Sequence, residues 1–134
     1  MPGSFFDTDV LLYIASGDSA KAERAEKLIG VGGTISAQVL NETANVARRK
    51  MSMSWTETHA FLSMMRGLLS VQPLTVDVHE TGLALAERHG VSIYDAMIAA
   101  AALYAGCDTL WSEDMQNEAV LDGRLRIVNP FRAE

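Results

Sequence analysis

The run Ser92-Ile93-Tyr94-Asp95-Ala96-Met97-Ile98-Ala99-Ala100-Ala101-Ala102-Leu103 predicts a helix that is apolar on every side from Ala96 onward. A helix without a polar side is stable only where other elements cover it, so we expect it at the centre of the fold. Its alanines leave room for close packing by neighbouring helices or strands. Ser92 stands where an N-terminal capping residue is expected, and Asp95 follows in the first turn.

Strands and helices alternate in the sequence on both sides of this run. Strands are predicted at residues 4–6, 32–36, 74–76, 108–111 and 125–128. Helices are predicted at residues 10–14, 18–29, 36–50, 54–69, 77–89 and 92–103, with a short polar helix after Asp114. This order is typical of an α/β fold in which helices flank a parallel β-sheet on both faces.

The bulk composition fits one globular domain spanning residues 1–134, since 49% of the residues are hydrophobic and 21% are charged. A single cysteine, Cys107, can form no internal disulfide, which favours a reducing, cytoplasmic setting. No signal peptide is recognisable, and the longest apolar stretch, residues 96–107, is too short to span a membrane. A net charge of -6 argues against nucleic-acid binding through a broad basic surface.

Four acidic residues are placed to meet at one edge of the predicted sheet. Asp7 follows the first strand directly, and Asp114 lies just past the strand that ends at Trp111. Glu42 lies less than two turns into the helix that leaves the second strand, and Asp95 lies in the first turn of the central helix. Parallel sheets bind ligands outside the carboxyl ends of their strands, so this edge is the expected site.

Carboxylates gathered in this way need compensation, because two charges about 4 Å apart repel by roughly 4 kcal/mol at an effective dielectric near 20. A hard divalent cation such as Mg²⁺ or Mn²⁺ removes that repulsion and accepts oxygen ligands. Spacing alone leaves simpler roles open for each acid: Asp7, Asp9, Asp95 and Asp114 are all placed to cap helices, and Glu42 could be a solvated surface charge.

A resemblance to a known family rests on four stretches in a characteristic order, which together span nearly the whole chain. They are Phe6-Asp7-Thr8-Asp9-Val10-Leu11-Leu12-Tyr13, Ser36-Ala37-Gln38-Val39-Leu40-Asn41-Glu42, Ser92-Ile93-Tyr94-Asp95-Ala96-Met97-Ile98 and Thr109-Leu110-Trp111-Ser112-Glu113-Asp114-Met115-Gln116. In these the sequence resembles the PIN-domain ribonucleases, and specifically the VapC-type toxins of toxin-antitoxin pairs.

The resemblance implies a metal-dependent endoribonuclease. Asp7, Glu42, Asp95 and Asp114 would be the catalytic, metal-binding acids for Mg²⁺ or Mn²⁺, while the hydroxyl groups of Thr8 and Ser112 would orient those carboxylates. It further implies an RNA substrate, a homodimer and a small cognate antitoxin that blocks the site. The sequence departs from the family at Asp9, where many relatives carry asparagine, and we expect Asp9 to cap the helix that follows.

Two other functions compete with this one. A hydrophobic strand followed by Asp7-Thr8-Asp9 also resembles the haloacid-dehalogenase-like phosphatases, in which Asp7 would be the nucleophile, although Leu11 departs from that pattern and no lysine stands clearly at a strand end. The second alternative is a catalytically silent module that only binds a partner. Separately, the surplus of apolar residues on the predicted helices around residues 11–13 and 61–65 is consistent either with a dimer interface or with an intramolecular core.

Overall fold

In the computed structural model, which describes residues 3–132, short strands alternate with helices along the chain. The strands are β1 (Ser4–Phe6), β2 (Thr34–Ser36), β3 (Ser70–Gln72), β4 (Thr109–Trp111), β5 (Val120–Leu121) and β6 (Leu125–Val128). The helices are α1 (Thr8–Ile14), α2 (Ser19–Val31), α3 (Ala37–Arg49), α4 (Trp55–Leu68), α5 (Val76–His89) and α6 (Ile93–Tyr104). The predicted α/β class is confirmed.

The strands form one sheet in the order β3-β2-β1-β4-β6-β5, and every neighbouring pair is parallel except β5 with β6. The chain first builds outward from β1 to β3 and then returns to add β4 on the other side of β1. Because crossovers between parallel strands are right-handed, this reversal puts α5 and α6 on the face opposite α1 to α4. The order changes direction between β1 and β4, which is where open α/β sheets bind ligands.

Helix α6 packs across the middle of the sheet, as its composition predicts. It contacts β2, β3, β4 and β6, and every residue from Ala96 to Ala102 is buried. At the centre of the sheet, Phe5 and Phe6 of β1 are both fully buried, and as consecutive strand residues they face opposite sides of the sheet. Asp95 therefore lies in the first turn of a helix whose residues 96–102 are all buried.

Local capping chemistry sets the helix ends much as expected. The hydroxyl groups of Ser36 and Ser92 accept hydrogen bonds from the N–H groups of Val39 and Asp95, and Ser54 forms a reciprocal capping box with Glu57. Gly90 ends α5 in the left-handed conformation. Each of these ends was predicted at or next to the residue observed.

Two predicted elements differ from the structure, and one observed strand was not predicted. The strand predicted at residues 74–76 is wrong: β3 lies earlier, at Ser70–Gln72, and Thr75 instead caps α5 through its hydroxyl group. The helix predicted after Asp114 is absent from residues 112–119, which form bends and a turn. This segment leads into β5, a two-residue strand that the sequence did not indicate. None of the described helices is both long and apolar enough to cross a membrane.

Candidate active site

Asp7 and Ser112 lie just beyond the ends of the two central strands, β1 and β4. The N–H group of Asp7 donates to the carbonyl oxygen of Trp111 (3.0 Å), which extends the pairing of these strands. Asp7 is 5% exposed, and its carboxylate accepts two short hydrogen bonds, from the Thr8 N–H group (2.7 Å) and the Ser112 hydroxyl group (2.7 Å). Asp7 is thus also the N-cap of α1.

A second hydroxyl group holds Glu42, which lies on the first two turns of α3. Thr8 Oγ1 donates to Glu42 Oε1 (2.7 Å), and Gln38 Nε2 donates to Glu42 Oε2 (2.9 Å). Gln38 Nε2 also donates to the carbonyl oxygen of Tyr94 (3.1 Å) and so links α3 to the start of α6. Thr8 and Ser112 therefore each fix one carboxylate, in the positions that the resemblance implied.

Asp95 and Asp114 approach the same place from α6 and from the segment after β4. Burial raises the pKa of Asp95, the Ser92 hydroxyl group lowers it, and the negative charges of Asp114 and Glu42 raise it further. Asp114 is exposed, unlike Asp7. Asp95 and Asp114 line the same pocket, where their negative charges repel each other.

Asp9 is the fifth acid of this group, and its role differs from the expected one. It does not cap α1, since Asp7 does so; instead Asp9 Oδ2 accepts hydrogen bonds from the N–H groups of Glu113 (3.1 Å) and Asp114 (3.2 Å). Its other oxygen, Oδ1, is buried without a hydrogen-bond partner. Burial, together with repulsion by Asp7 and Asp114, raises the pKa of Asp9 to about 8.

These acids line one pocket of about 300 Å³, here called the carboxylate pocket. Its lining residues are Asp7, Thr8, Asp9, Leu12, Glu42, Asn45, Val46, Asp95 and Asp114. Burial raises the pKa of Asp7 to about 6, against the effect of its two hydrogen bonds, and repulsion by Asp95 and Glu42 adds to the rise. None of the described lining residues is lysine or arginine, so no side-chain cation offsets the negative charge.

The donor set of this pocket fits a hard divalent cation. It offers several carboxylate oxygens, among them the buried, unpartnered Oδ1 of Asp9. Among residues 3–132, no three His, Cys, Asp or Glu side chains already converge as ligands of one ion. That arrangement suits Mg²⁺, which keeps several of its waters and needs only one or two direct carboxylate ligands.

The geometry argues against the phosphatase alternative. That mechanism needs a cation to neutralise the phosphoryl group, and no lysine lies among the described residues that line the pocket.

Comparison with known proteins agrees with this architecture. The family model described as PIN domain matches residues 4–120. The chain belongs to the PIN domain family. No curated protein matches the chain, so the remaining comparisons are with solved structures.

Several solved PIN-type structures share the fold at low sequence identity. A toxin-antitoxin complex from Klebsiella pneumoniae is 20% identical with a TM-score of 0.73, covering 97% of this chain and 99% of that one. The sarcin-ricin-loop-cleaving toxin VapC20 of Mycobacterium tuberculosis is 21% identical with a TM-score of 0.68, covering 83% and 91%. DNA-bound VapBC from Salmonella typhimurium is 20% identical with a TM-score of 0.65, covering 95% and 97%.

The four acids predicted from the sequence lie in one pocket of the structure, but the sequence did not predict Asn45 as a neighbour or the contacts of Asp9. All four predicted acids, with Thr8, line the carboxylate pocket, and Ser112 contacts Asp7 from behind it. Asn45 was missed, although it lies one helical turn beyond Glu42 and its spacing places it on the same face. Asp9 was assigned to the wrong partner, because the backbone groups that it holds are more than a hundred residues away in the sequence.

Proposed function

We propose that this PIN-domain protein is a divalent-metal-dependent endoribonuclease and the toxin of a toxin-antitoxin pair. The observation that carries the proposal is the carboxylate pocket, which gathers Asp7, Glu42, Asp95 and Asp114 at the point where the strand order reverses. A group of mutually repelling, partly buried carboxylates with no cationic neighbour is expected to need a bound cation. PIN nucleases generally use divalent metal ions, which agrees with this expectation.

In this proposal Asp7, Glu42, Asp95 and Asp114 would hold a Mg²⁺ or Mn²⁺ ion, either directly or through its bound waters. When bound, such an ion would supply an activated water and neutralise charge on the phosphodiester group. Thr8 and Ser112 keep Glu42 and Asp7 oriented toward the pocket, so the carboxylates are fixed before substrate binds. Asp9 holds the backbone at residues 113 and 114 and thereby positions Asp114.

RNA cleavage by the purified protein tests the enzymatic part. Total RNA is incubated with the protein and Mg²⁺ or Mn²⁺, with and without a chelator, and compared with Asp7→Asn and Asp95→Asn. A matched control is Asp77→Asn, because Asp77 also lies in the first turn of a helix but is exposed and outside the carboxylate pocket.

We expect metal-dependent cleavage that both site variants lose and the control keeps. Equal cleavage by Asp7→Asn, Asp95→Asn and the parent protein would contradict the proposed site. If nothing cleaves RNA and metal titration shows no difference between parent and variants, the silent partner-binding module becomes the better description.

The toxin part rests on the neighbours, which include a toxin-antitoxin complex and the toxin VapC20. We therefore propose a small cognate antitoxin as the protein partner. Induced expression of the chain alone is expected to arrest bacterial growth, and the Asp7→Asn variant is expected to relieve the arrest. Growth arrest by the Asp7→Asn protein at the same expression level would show that toxicity does not come from this site.

A homodimer is part of the same proposal, and the exposed apolar side chains of α4 support it. Trp55 is 63% exposed, Leu68 is 50% exposed and Met64 is 46% exposed. These side chains leave apolar surface in water that a second copy would cover. Light scattering coupled to size-exclusion chromatography at micromolar concentration tests it, and a monomer would contradict it.

A further inference from the structure

A second pocket opens beside the carboxylate pocket and has a different chemistry. It has a volume of about 470 Å³ and is formed by α3, the start of α6 and the start of α5. We call it the amide pocket, because amide side chains line it together with apolar ones. Its lining includes Gln38, Asn41, Asn45, Ile93, Tyr94 and Met97. Glu42 and Asn45 line both pockets, so a molecule bound at the carboxylates reaches the amide pocket directly.

The amides of this pocket form a row on one side of α3. Gln38, Asn41 and Asn45 are spaced by three and four residues, which places them on the same helix face. Asn41 and Asn45 are exposed, and neither side chain has a hydrogen-bond partner among the described residues. Side-chain amides offer both a donor and an acceptor, the combination that pairs with the edge of a nucleobase.

An exposed aromatic residue lines the same pocket. Tyr94 is 71% exposed, and its neighbour Ile93 is 52% exposed, whereas residues 96–102 of the same helix are buried. Met97 is only 7% exposed and also lines the pocket. A pocket that combines an aromatic ring and apolar side chains with hydrogen-bonding amides suits a planar, polar-edged ligand.

Charge disfavours the phosphate groups of a nucleic acid in this pocket. No lysine or arginine lies among its described lining residues, and Glu42 contributes a negative charge. A phosphate group would therefore be repelled, whereas an uncharged base would not. Unpaired bases of RNA are recognised by stacking on aromatic rings and by hydrogen bonds to their edges.

We infer that the amide pocket binds one unpaired base of the RNA strand, adjacent to the phosphate at the carboxylates. This inference rests on the proposed ribonuclease function and adds to it a requirement for a single-stranded substrate. Tyr94 stacks on the base, and the amides of Asn41 and Asn45 contact its edge. A helical duplex does not satisfy the pocket, because its bases are stacked and paired.

Binding of RNA to pocket variants tests the inference. The probe is a short single-stranded RNA of mixed sequence, together with a series in which each nucleotide in turn is replaced by an abasic one. Affinity is measured by fluorescence anisotropy with Mg²⁺ at fixed salt, in an Asp7→Asn background that prevents cleavage. The variants are Tyr94→Ala, Tyr94→Phe and the double variant Asn41→Ala/Asn45→Ala.

Tyr104→Ala is the matched control, because Tyr104 lies on the same helix and is 50% exposed but is outside the amide pocket. Tyr94→Ala is expected to weaken RNA binding by roughly 5- to 150-fold, the range for loss of one base-stacking contact. Tyr94→Phe is expected to bind like the parent protein, since the ring is kept. The double amide variant is expected to bind more weakly than the parent, and Tyr104→Ala to bind equally well.

The abasic series gives the sharper readout. At one position the abasic substitution should weaken binding to the parent and cause little further loss with Tyr94→Ala, because both changes remove the same contact. Additive losses at every position, or equal losses for Tyr94→Ala and Tyr104→Ala, would overturn the inference. So would unchanged RNA affinity of Tyr94→Ala, which would leave the pocket to a protein segment instead.

Cleavage of total RNA by the protein with Asp7 intact distinguishes failure of the base-pocket proposal from failure of the nuclease proposal. If total RNA is cleaved but the Tyr94 variants bind as the parent does, the base pocket is wrong and the nuclease function stands. If RNA is neither cleaved nor bound, both proposals fail together.

Discussion

Asp9 Oδ2 accepts hydrogen bonds from the backbone N–H groups of Glu113 and Asp114, across more than a hundred residues of sequence. This carboxylate therefore fixes the segment that carries Asp114. Replacing Asp9 with asparagine keeps an oxygen able to accept both hydrogen bonds, so Asp9→Asn is expected to retain most of the RNA cleavage. Asp9→Ala removes the acceptor and is expected to lose most of it.

The measurement is the rate of metal-dependent RNA cleavage by the two variants at the same Mg²⁺ concentration. A circular dichroism spectrum of each variant shows whether Asp9→Ala still folds. A large loss of cleavage in Asp9→Asn would show that the negative charge of Asp9 is needed in the carboxylate pocket, beyond its contact with the backbone.

Thr8 offers a second test, because its hydroxyl group is the donor to Glu42 Oε1 at 2.7 Å. Thr8→Val keeps the shape of the side chain but loses the donor, while Thr8→Ser keeps the donor. Loss of a residue that orients a metal ligand lowers metal affinity or activity by roughly 10- to 100-fold. We expect that loss for Thr8→Val in a Mg²⁺ titration of RNA cleavage, and near-parental behaviour for Thr8→Ser. Equal titration curves for the two variants would show that the hydroxyl group does not support Glu42.

The position of Asp95 depends on how closely α5 and α6 pack. A β-carbon on Gly82 of α5 would lie 3.3 Å from the α-carbon of Met97 and less than that from its side chain. In most exposed helix positions glycine is less favourable than alanine by about 1 kcal/mol, so replacement normally stabilises. Here the sign should reverse, and Gly82→Ala is expected to destabilise the protein by about 1–3 kcal/mol, as other overpacked substitutions do.

Gly67 provides the control, since it lies on α4 and no atom would contact a β-carbon added there. Chemical denaturation of both variants compares the free energies of unfolding. Gly67→Ala is expected to be neutral or slightly stabilising. If Gly82→Ala is as stable as Gly67→Ala, α5 and α6 are not in the close contact described here.

The helices could be predicted from sequence because their ends are set by contacts between residues that are near each other. Ser54 and Glu57 lie three residues apart, as do Ser92 and Asp95. The elements that were missed depend on distant partners. Residues 113 and 114 avoid a helix while Asp9 accepts their N–H groups, and β3 is an exposed edge strand held by pairing with β2.

The same distinction holds for the candidate site. The positions of Asp7 and Asp114 after strands follow from the order of elements along the chain, so their meeting could be predicted. The hydroxyl contacts of Thr8 and Ser112 could be predicted only from the family resemblance, because Ser112 and Asp7 are 105 residues apart and no local sequence pattern joins them. The amide pocket required α3 and the start of α6 to meet, which only the tertiary structure gives.

The carboxylate pocket also links the stability of the folded chain to pH and to metal. Burial raises the pKa of Asp7 to about 6 and that of Asp9 to about 8. The groups facing them are Glu42, Asp95 and Asp114, all acidic, with no lysine or arginine among the described lining residues. Because these pKa values are higher in the folded chain than in the unfolded one, folding takes up protons between about pH 4 and pH 8.

The free energy of unfolding of the metal-free protein should therefore fall as pH rises from about 5 to 8, since the unfolded chain then binds fewer protons than the folded one. Carboxylates with lowered pKa, such as Glu57 and Asp122, act in the opposite direction only at more acidic pH. Mg²⁺ binds the deprotonated carboxylates, so it should raise the Tm more at pH 8 than at pH 5. Asp9→Asn should flatten the pH dependence by removing the group with the highest pKa of the pocket. The Tm of the parent protein and of Asp9→Asn, measured between pH 5 and pH 8 with chelator and with Mg²⁺, tests these three effects. A metal-free Tm that rises toward pH 8 would show that the pocket does not hold protonated carboxylates.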